Sequence, residues 1–111
     1  MQKRVGFKIK GKKIYIGARK CGFFNSGLMF RTSNTMPCLF EFNEPIKFKI
    51  TSFFVFFPFV AIWLDKRNGI IRIKKVKPFT FAEYPGKPFS KLLEIPVNRR
   101  YEEKIKLLVG D

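Results

Sequence analysis

The stretch SFFVFFPFVAIWLD, Ser52 to Asp65, places five phenylalanines within seven consecutive positions, Phe53 to Phe59. It contains no Lys or Arg and shows no alternation of polar and apolar residues. This pattern is typical of a strand buried on both faces, or of a barrel strand whose outer face is covered by a neighbouring segment. Because proline cannot donate to a strand ladder, Pro58 marks an edge, a bulge or a break near Phe57. We predict that Phe53 to Trp63 is mostly buried core and not a base-stacking surface.

Further strands are predicted on both sides of this stretch, where short apolar runs are bounded by turn residues. They are Cys38 to Phe42, Ile46 to Phe57, Val60 to Asp65, Ile70 to Lys77 and Lys91 to Pro96. The sequence LDKRNG contains Asn68 and Gly69, which favour a hairpin turn between two apolar segments. The segment Cys21 to Asn34 has helical spacing but contains two glycines, so a short helix or a turn is predicted there.

The end of the chain, NRRYEEKIKLL, predicts a helix with Asn98 as its N-cap and with Ile105 and Leu108 on one face. At 111 residues the chain is expected to form one domain, residues 1–111. The predicted fold is mainly β: a small barrel-like or highly bent antiparallel sheet of about six to eight strands with one or two short helices.

The opening sequence RVGFKIKGKKIYIGAR predicts a basic β-hairpin over residues 1–19, because apolar and basic residues alternate on both sides of one turn. With Gly11 and Lys12 as a two-residue type II′ loop, Ile9 pairs with Ile14. The predicted apolar face consists of Val5, Phe7, Ile9, Ile14, Ile16 and Ala18. The predicted cationic face consists of Arg4, Lys8, Lys10, Lys13, Tyr15 and Arg19.

The charge of the chain is strongly unbalanced, since 23 Lys and Arg against 8 Asp and Glu give a net charge of +15. All acidic residues lie from Glu41 onward, so the first third of the chain is purely cationic. This distribution favours an anionic partner such as nucleic acid or a lipid surface. The alternative is a thermophile-like surface composition, although ion-pair networks would then require matching acids. The composition leaves both explanations open.

A second basic strand supports the nucleic-acid hypothesis. In IIRIKKVK, Arg72 and Lys74 alternate with Ile71 and Ile73 and are expected to point outward. A sheet face shared with the hairpin would bind phosphates without reading sequence. No motif of a known nucleic-acid-binding module accompanies these residues. The candidates for polyanion binding are Arg4, Lys8, Lys10, Lys13, Arg19, Arg72 and Lys74.

The chain has two cysteines, Cys21 and Cys38, and no histidine. A structural zinc site normally needs four N or S ligands, so neither a metal nor a cofactor is predicted. The cysteines can form a disulfide if their Cα atoms approach within about 6 Å, and free thiols are the alternative. No signal peptide is recognised, and the uncharged run Ile50 to Leu64 is shorter than the roughly 20 residues of a membrane span. We expect a cytoplasmic protein without a transmembrane segment.

Five blocks of the sequence together resemble one known family. They are NSGLMFR (Asn25 to Arg31), SFFVFFPFVAIWLD (Ser52 to Asp65), NGIIRI (Asn68 to Ile73), LLEIP (Leu92 to Pro96) and the closing GD (Gly110, Asp111). Their order and approximate spacing resemble the domain of unknown function 192 family, an uncharacterised protein family. The resemblance covers Cys21 to Asp111, and the basic hairpin fits the variable start of the family.

The resemblance implies a small, β-dominated, barrel-like core over residues 21–111, with an activity that is not established. Many bacterial members have a polar residue just after the motif proline and an aspartate two further on, where this chain has Phe59 and Val60. Export signals are frequent among bacterial members and none is recognised here, so an envelope role is not carried over. The family-motif candidates are Gly27, Met29, Arg31, Pro58 and Asp65.

An enzyme would need a nucleophile with a base, or paired carboxylates. Without histidine, the remaining candidates are Ser26, Cys21 and Cys38 activated by Lys, and the carboxylates Asp65, Glu83 and Glu94. The carboxylates have plainer explanations. Asp65 is expected to cap the KRNG turn, and Glu94 alternates with Leu93 and Ile95 as a solvent-facing strand residue would. No catalytic residue is therefore assigned.

These observations favour a non-catalytic binding module with a basic surface that faces nucleic acid or another polyanion. One alternative is a small enzyme of unknown reaction. Another is a protein-interaction scaffold that uses an exposed part of the Phe-rich stretch. A pocket with perturbed acids would support the enzyme, and a contiguous apolar patch would support the scaffold.

Overall fold

The computed structural model describes residues 2–21, 35–46, 57–78 and 85–110. Some predictions lie outside these ranges, namely the helix or turn at 22–34, most of the strand predicted at 46–57 and the burial of residues 53–56. Candidate residues that lie outside them are Ser26, Gly27, Met29, Arg31 and Glu83.

The described chain forms six strands, one 3₁₀ turn and one helix. In chain order these are β1 (Gln2–Ile9), β2 (Lys12–Cys21), β3 (Cys38–Ile46), β4 (Phe59–Leu64), β5 (Ile70–Val76), β6 (Phe89–Pro96), the 3₁₀ turn (Arg99–Tyr101) and α1 (Glu102–Val109). All six strands belong to one curled sheet with the order β1-β2-β3-β6-β4-β5. The mainly β, barrel-like fold predicted from the sequence is confirmed.

The sheet is mixed and not wholly antiparallel. Neighbouring strands pair antiparallel except β2 and β3, which run parallel with Arg19 opposite Cys38 and Cys21 opposite Phe40. A parallel pair needs a crossover of a dozen or more residues. The 16 residues between Cys21 and Cys38 are long enough for one.

The sheet is apolar on both faces. On one face, called the helix face below, Ile16 and Leu93 pack in a single cluster with Ile105 of α1. On the other face, called the opposite face, a second cluster includes Trp63 and Phe89. Strands in the middle of the sheet are therefore buried on both sides, as in other sheets that are covered on two faces.

β4 is the most completely buried strand of the described chain. Every residue of Phe59–Leu64 is buried, and Trp63 has 0 % of its surface exposed. Phe57 is buried as well, and Pro58 separates it from the first residue of β4. The predicted burial of the Phe-rich stretch is confirmed from Phe57 to Trp63, except that Pro58 is half-buried. β4 begins directly after Pro58, which lies outside the strands, whereas the strand predicted before Phe57 lies outside the described residues.

The N-terminal hairpin is confirmed, but its predicted register is wrong by two residues. Phe7 pairs with Ile14 and Ile9 with Lys12, so the loop consists of Lys10 and Gly11. Both loop residues have positive φ, 50° and 77°, as in a type I′ turn. Because the shift is an even number of residues, every side chain keeps its predicted face, and the hydrophobic pattern could not distinguish the two registers.

Asp65 closes the β4–β5 turn, as predicted. Its Oδ1 accepts hydrogen bonds from the backbone N–H groups of Arg67 (2.8 Å) and Gly69 (2.7 Å). Asn68 has φ 64°, and its side chain leaves the turn: Nδ2 donates to the Gly6 carbonyl of β1 at 3.0 Å. Since β1 and β5 are the two edges of the sheet, this bond joins one end of the curled sheet to the other.

The C-terminal helix begins as predicted. The Asn98 side chain accepts a hydrogen bond from the Arg100 N–H at 2.9 Å and caps the 3₁₀ turn that leads into α1. Ile105 and Leu108 are buried against the helix face. Lys104 Nζ donates to the Tyr15 carbonyl of β2 at 2.6 Å, which also fixes α1 to the hairpin.

Replacing Lys10 by Asn should stabilise the protein, because Asn adopts positive φ more readily and creates the Asn-Gly pair preferred in type I′ turns. We expect the free energy of unfolding in urea to rise by about 0.5–1 kcal/mol for Lys10→Asn. The opposite change, Gly11→Val, should lower it by roughly 1 kcal/mol or more. A Lys10→Asn protein no more stable than wild type would contradict the observed turn.

Candidate functional site

The hairpin presents an exposed basic surface on the opposite face of the sheet. This Tyr15 surface consists of Arg4, Lys8, Lys13 and Tyr15, with Lys10 beside it at the turn, and all five residues are exposed. Lys8 and Lys13 are directly opposite each other in the strand pair. Like charges in this position destabilise a pair, and neither lysine forms an ion pair with a carboxylate in the described parts of the chain. An anion between them would relieve the repulsion.

Tyr15 is 44 % exposed and is the one large hydrophobic side chain of the described residues that faces solvent to this extent. Its ring lies against the backbone of Gly6, where a Cβ atom would be only 2.7 Å from Tyr15 Cε1. The Arg4 guanidinium lies 4.3 Å from the ring centroid, and Lys13 Nζ lies 5.8 Å from it. An exposed ring flanked by cations can stack on a base while the cations bind phosphate.

Cations that have acidic partners lie away from the Tyr15 surface. Lys3 and Lys20 contact Glu41 at 2.7 and 3.5 Å. Burial alone would raise the pKa of Glu41, but the hydrogen bond from Lys3 and the charges of Lys3, Lys20 and Lys91 outweigh it and lower that pKa. Glu102 and Lys106 face each other along α1 at 3.9 Å. The basic character of the Tyr15 surface is thus not offset by these pairs.

Arg72 and Lys74 lie at the other edge of the sheet, and both are half-buried. Arg72 is opposite Trp63 in the strand pair, with its guanidinium 5.9 Å from the indole centroid. Although both residues share the opposite face with the hairpin, β3, β6 and β4 lie between them and the Tyr15 surface.

Lys66 and Arg67 were not predicted as candidates, yet the structure brings them towards the hairpin. Both are exposed in the β4–β5 turn, next to Asn68, whose side chain bonds to Gly6 beneath Tyr15. This contact joins residues 62 positions apart. Only the curl of the sheet produces it, so no local sequence signal could have indicated it.

The described family-motif candidates have structural roles. Pro58 accepts a hydrogen bond on its carbonyl from the Val97 N–H at 3.1 Å, which links the start of β4 to the end of β6. Asp65 is exposed and is used in the turn described above. Neither residue lies in a cluster of titratable groups that would indicate catalysis.

The prediction that Glu94 faces solvent is wrong, since only 7 % of its surface is exposed. Glu94 belongs to β6, which lies between β3 and β4 and is covered on both faces. Burial raises the pKa of Glu94 to about 8, although the positive charge of Arg19 acts in the opposite direction. The carboxyl group is therefore mostly neutral at pH 7. Alternation assigned Glu94 to a face correctly but could not show that this face is covered.

Glu94 belongs to a row of residues that crosses the sheet. Arg19 of β2 is opposite Cys38 of β3, Cys38 is opposite Glu94, and Glu94 is opposite Ala61 of β4. Directly opposite residues point to the same face, with Cβ atoms about 5 Å apart. This row is the one described place where a buried carboxyl, a guanidinium and sulfur atoms lie at one level of the sheet.

The disulfide that the sequence left open is formed between Cys21 and Cys38, whose Cα atoms are 5.9 Å apart. It crosses from β2 to β3, the parallel pair. Cys38 has 0 % of its surface exposed, whereas Cys21 is half-buried. Arg19 Nη1 lies 3.3 Å from Cys21 Sγ. Arg19, predicted as a polyanion ligand, is thus half-buried beside the disulfide.

The other described residues give few indications of a catalytic or metal-binding site. The Trp63 indole N–H is buried and has no hydrogen-bond partner among the described residues. A shallow groove beside α1 is lined by Lys75, Asn98 and Glu102, among others, and holds one carboxylate. Within the described ranges, no three potential metal ligands cluster, and no helix has the length and apolarity needed to cross a membrane.

The raised pKa of Glu94 and the lowered pKa of Glu41 predict that the stabilities of Glu94→Gln and Glu41→Gln, each relative to wild type, change with pH in opposite directions. A buried acid that holds its proton in the folded state stabilises that state below the unfolded pKa, and this contribution is lost as pH rises through about 8. Glu94→Gln should therefore become more stable relative to wild type between pH 5 and about 9 in urea unfolding.

Glu41→Gln is the control on the neighbouring strand. Because the pKa of Glu41 is lowered, its contribution is present above the unfolded pKa and is lost as pH falls, so this variant should approach wild-type stability in acid. A Glu94→Gln protein whose stability differs from wild type by a constant amount from pH 5 to about 9 would show that Glu94 ionises normally.

The family model of DUF192, described as Uncharacterized ACR, matches residues 18–111. No curated protein matches the chain. A protein of unknown function from Novosphingobium aromaticivorans DSM 12444 has a similar crystal structure, with a TM-score of 0.74 and 18 % identity over 84 % of this chain and 71 % of its own. A "putative transcription regulator" from Sinorhizobium meliloti 1021 has a TM-score of 0.77 and 18 % identity over 100 % of this chain and 91 % of its own. The chain belongs to the DUF192 family, which its sequence blocks had indicated.

Proposed function

We propose that the Tyr15 surface of this protein is a binding site for single-stranded nucleic acid and catalyses no reaction on it. The observation that carries this proposal is the pair Lys8 and Lys13, which face each other without a described acidic partner beside an exposed aromatic ring. When these lysines neutralise phosphates, the cations condensed on the nucleic acid are released, which favours association.

The geometry favours a single strand over a duplex. The Tyr15 ring lies against Gly6, and the Arg4 guanidinium lies over the ring at 4.3 Å from its centroid, so a stacking base would take the place of Arg4 on the ring. Bases are free to stack on such a ring only where they are not already stacked in a duplex. Lysine contacts to phosphate carry no sequence information, so we expect little preference among sequences.

The name of the Sinorhizobium meliloti protein is in keeping with a nucleic-acid partner, but at 18 % identity the likeness concerns the fold alone. Support for the proposal therefore comes from the Tyr15 surface. A scaffold built on the Phe-rich stretch is less favoured, because Phe57 and Phe59 are buried. A small enzyme would need a pocket with perturbed acids, and Glu102 is the one carboxylate among the residues that line the groove beside α1.

The lysines of the Tyr15 surface should dominate binding. We expect labelled single-stranded DNA and RNA to bind in fluorescence anisotropy at about 50 mM salt and to dissociate steeply by about 200 mM. Replacing Lys8, Lys10 and Lys13 by Gln should weaken binding at least tenfold and reduce the slope of log K against log salt by about 2, because about three phosphate contacts are lost.

A matched control removes the same number of charges from lysines that have acidic partners. In the Lys3→Gln, Lys20→Gln, Lys106→Gln variant, the lost cations contact Glu41 or Glu102 in the wild-type structure. This control should bind nearly as well as wild type. Equal loss of affinity in the two triple variants would attribute binding to net charge alone, and no binding of wild type at the lower salt would reject a nucleic-acid function.

Tyr15 should contribute to single strands specifically. Tyr15→Ala removes the stacking ring and should cost about 1–3 kcal/mol of binding free energy for single-stranded DNA. Tyr15→Phe keeps the ring and should retain the affinity. Weak binding to duplex DNA, measured in the same anisotropy assay, should be unchanged by either substitution. An equal effect of Tyr15→Ala on single and double strands would contradict stacking.

A further inference from the structure

The two sulfur atoms of the Cys21–Cys38 disulfide lie in different surroundings. Cys38 is fully buried in the apolar cluster of the opposite face, while Cys21 is half-buried at the end of β2. The Arg19 guanidinium is 3.3 Å from Cys21 Sγ, and Glu94 occupies the strand position directly opposite Cys38. A cation thus accompanies the more accessible sulfur, and an acid accompanies the buried one.

We propose that Cys21–Cys38 is a thiol–disulfide exchange site that reacts with dithiols at Cys21 and uses Glu94 to move a proton to and from Cys38. This activity is independent of nucleic-acid binding, because the row that carries it does not include Tyr15, Lys8 or Lys13. Its substrates are dithiols and, in the reverse direction, disulfides.

Arg19 makes Cys21 the sulfur that is suited to exchange. A guanidinium beside a cysteine stabilises the thiolate over the thiol, and the thiolate is both the nucleophile and the good leaving group of exchange. Access decides which sulfur of the disulfide is attacked, since Cys38 has no exposed surface and Cys21 has some. An incoming thiolate therefore attacks Cys21 and displaces Cys38, and Arg19 acts in the second step, where it stabilises the departing Cys21 thiolate.

Glu94 can protonate the Cys38 thiolate that this displacement produces. A Cys38 thiolate in an apolar cluster is poorly solvated, so a neighbouring proton donor favours its release. On the face of the sheet that carries Glu94, the directly opposite positions are Cys38 on β3 and Ala61 on β4. The next positions are Arg19 on β2 beyond Cys38 and Lys74 on β5 beyond Ala61. In β6 itself, Leu92 and Pro96 flank it on the same face. The raised pKa of Glu94, about 8, keeps its proton available at neutral pH.

The exchange can be written in balanced steps for a small dithiol. One thiol loses its proton to water, and its thiolate attacks Cys21 Sγ, so that a mixed disulfide forms and the Cys21–Cys38 bond breaks. The Cys38 thiolate takes the Glu94 proton. The second thiol of the reductant loses its proton to water, and its thiolate attacks the first reductant sulfur, which releases Cys21 as a thiolate beside Arg19; Glu94 regains its proton from water. Two electrons pass from the dithiol to the protein, and the reductant leaves as a cyclic disulfide.

The rate of disulfide opening by dithiothreitol tests this proposal on the intact protein. Samples are quenched with an alkylating reagent at successive times, and the mass gain measures the opened fraction from pH 6 to about 9. We expect Glu94→Gln to open at least tenfold more slowly than wild type at pH 7, because the amide cannot supply a proton. Glu94→Asp should recover part of the rate, and Glu41→Gln, the matched carboxylate on β3, should open at the wild-type rate.

Single-cysteine variants assign the exchanging sulfur. In Cys38→Ser, Cys21 should form a mixed disulfide with oxidised glutathione at least tenfold faster than Cys38 does in Cys21→Ser, and Arg19→Gln should slow the reaction of Cys21. If the single-cysteine variants do not fold, the Glu94 series decides, because its disulfide is intact. Equal opening rates in wild type, Glu94→Gln and Glu41→Gln, or opening only at the rate of global unfolding, would show that the disulfide is a structural brace.

Discussion

Burial of β6 on both faces is the constraint on which the rest of this structure depends. The strand lies between β3 and β4, with the helix cluster on one side and the Trp63 cluster on the other. Any polar group on it must be hydrogen-bonded, paired or kept neutral, since an unpaired charge in such a place is costly. Glu94 sits here with Arg19 two strands away, and its neutral form is favoured. Strand order therefore sets the chemistry of this carboxyl.

The hairpin at the β1 edge of the sheet carries its charged residues on an exposed surface. The hairpin buries Phe7 and Ile14 on the helix face. The next pair, Lys8 and Lys13, points to the opposite face, and the burial of Phe7 and Ile14 offsets the repulsion between the two lysines. Paired strands hold these cations close together, whereas unconstrained lysine side chains would separate. A surface that is unfavourable by itself is thus maintained by the core beneath it, and this is a common physical basis for a binding site.

Local patterns in the sequence were sufficient for much of the fold. Alternation identified both faces of the hairpin, a continuous apolar run identified β4, and side-chain chemistry identified Asp65 in its turn and Asn98 at the start of the C-terminal helix. These features depend on residues close together in the chain, for which period and capping rules apply. The register of the hairpin could not be predicted in this way, because a shift by two residues preserves the hydrophobic pattern.

Non-local features were beyond such rules. The parallel pairing of β2 with β3 and the position of β6 between β3 and β4 join distant segments, so nothing local specifies them. The burial of Glu94 and its alignment with Cys38 follow from that strand order. For the candidate sites, the sequence supplied the basic residues of the hairpin but placed Glu94 in solvent and left the disulfide undecided. Both depend on the same unpredicted topology.

The bond from the Asn68 amide to the Gly6 carbonyl also affects the solution behaviour of the protein. An edge strand such as β1 offers unpaired backbone groups to which a strand of another molecule can add, and this is a frequent start of aggregation. In β1, the carbonyl of Gly6 is already occupied by a side chain from the far end of the same sheet. Lys91 Nζ in turn donates to Asn68 Oδ1 and holds the amide in place. Intramolecular occupation of this acceptor disfavours the addition of a foreign strand at this position of β1.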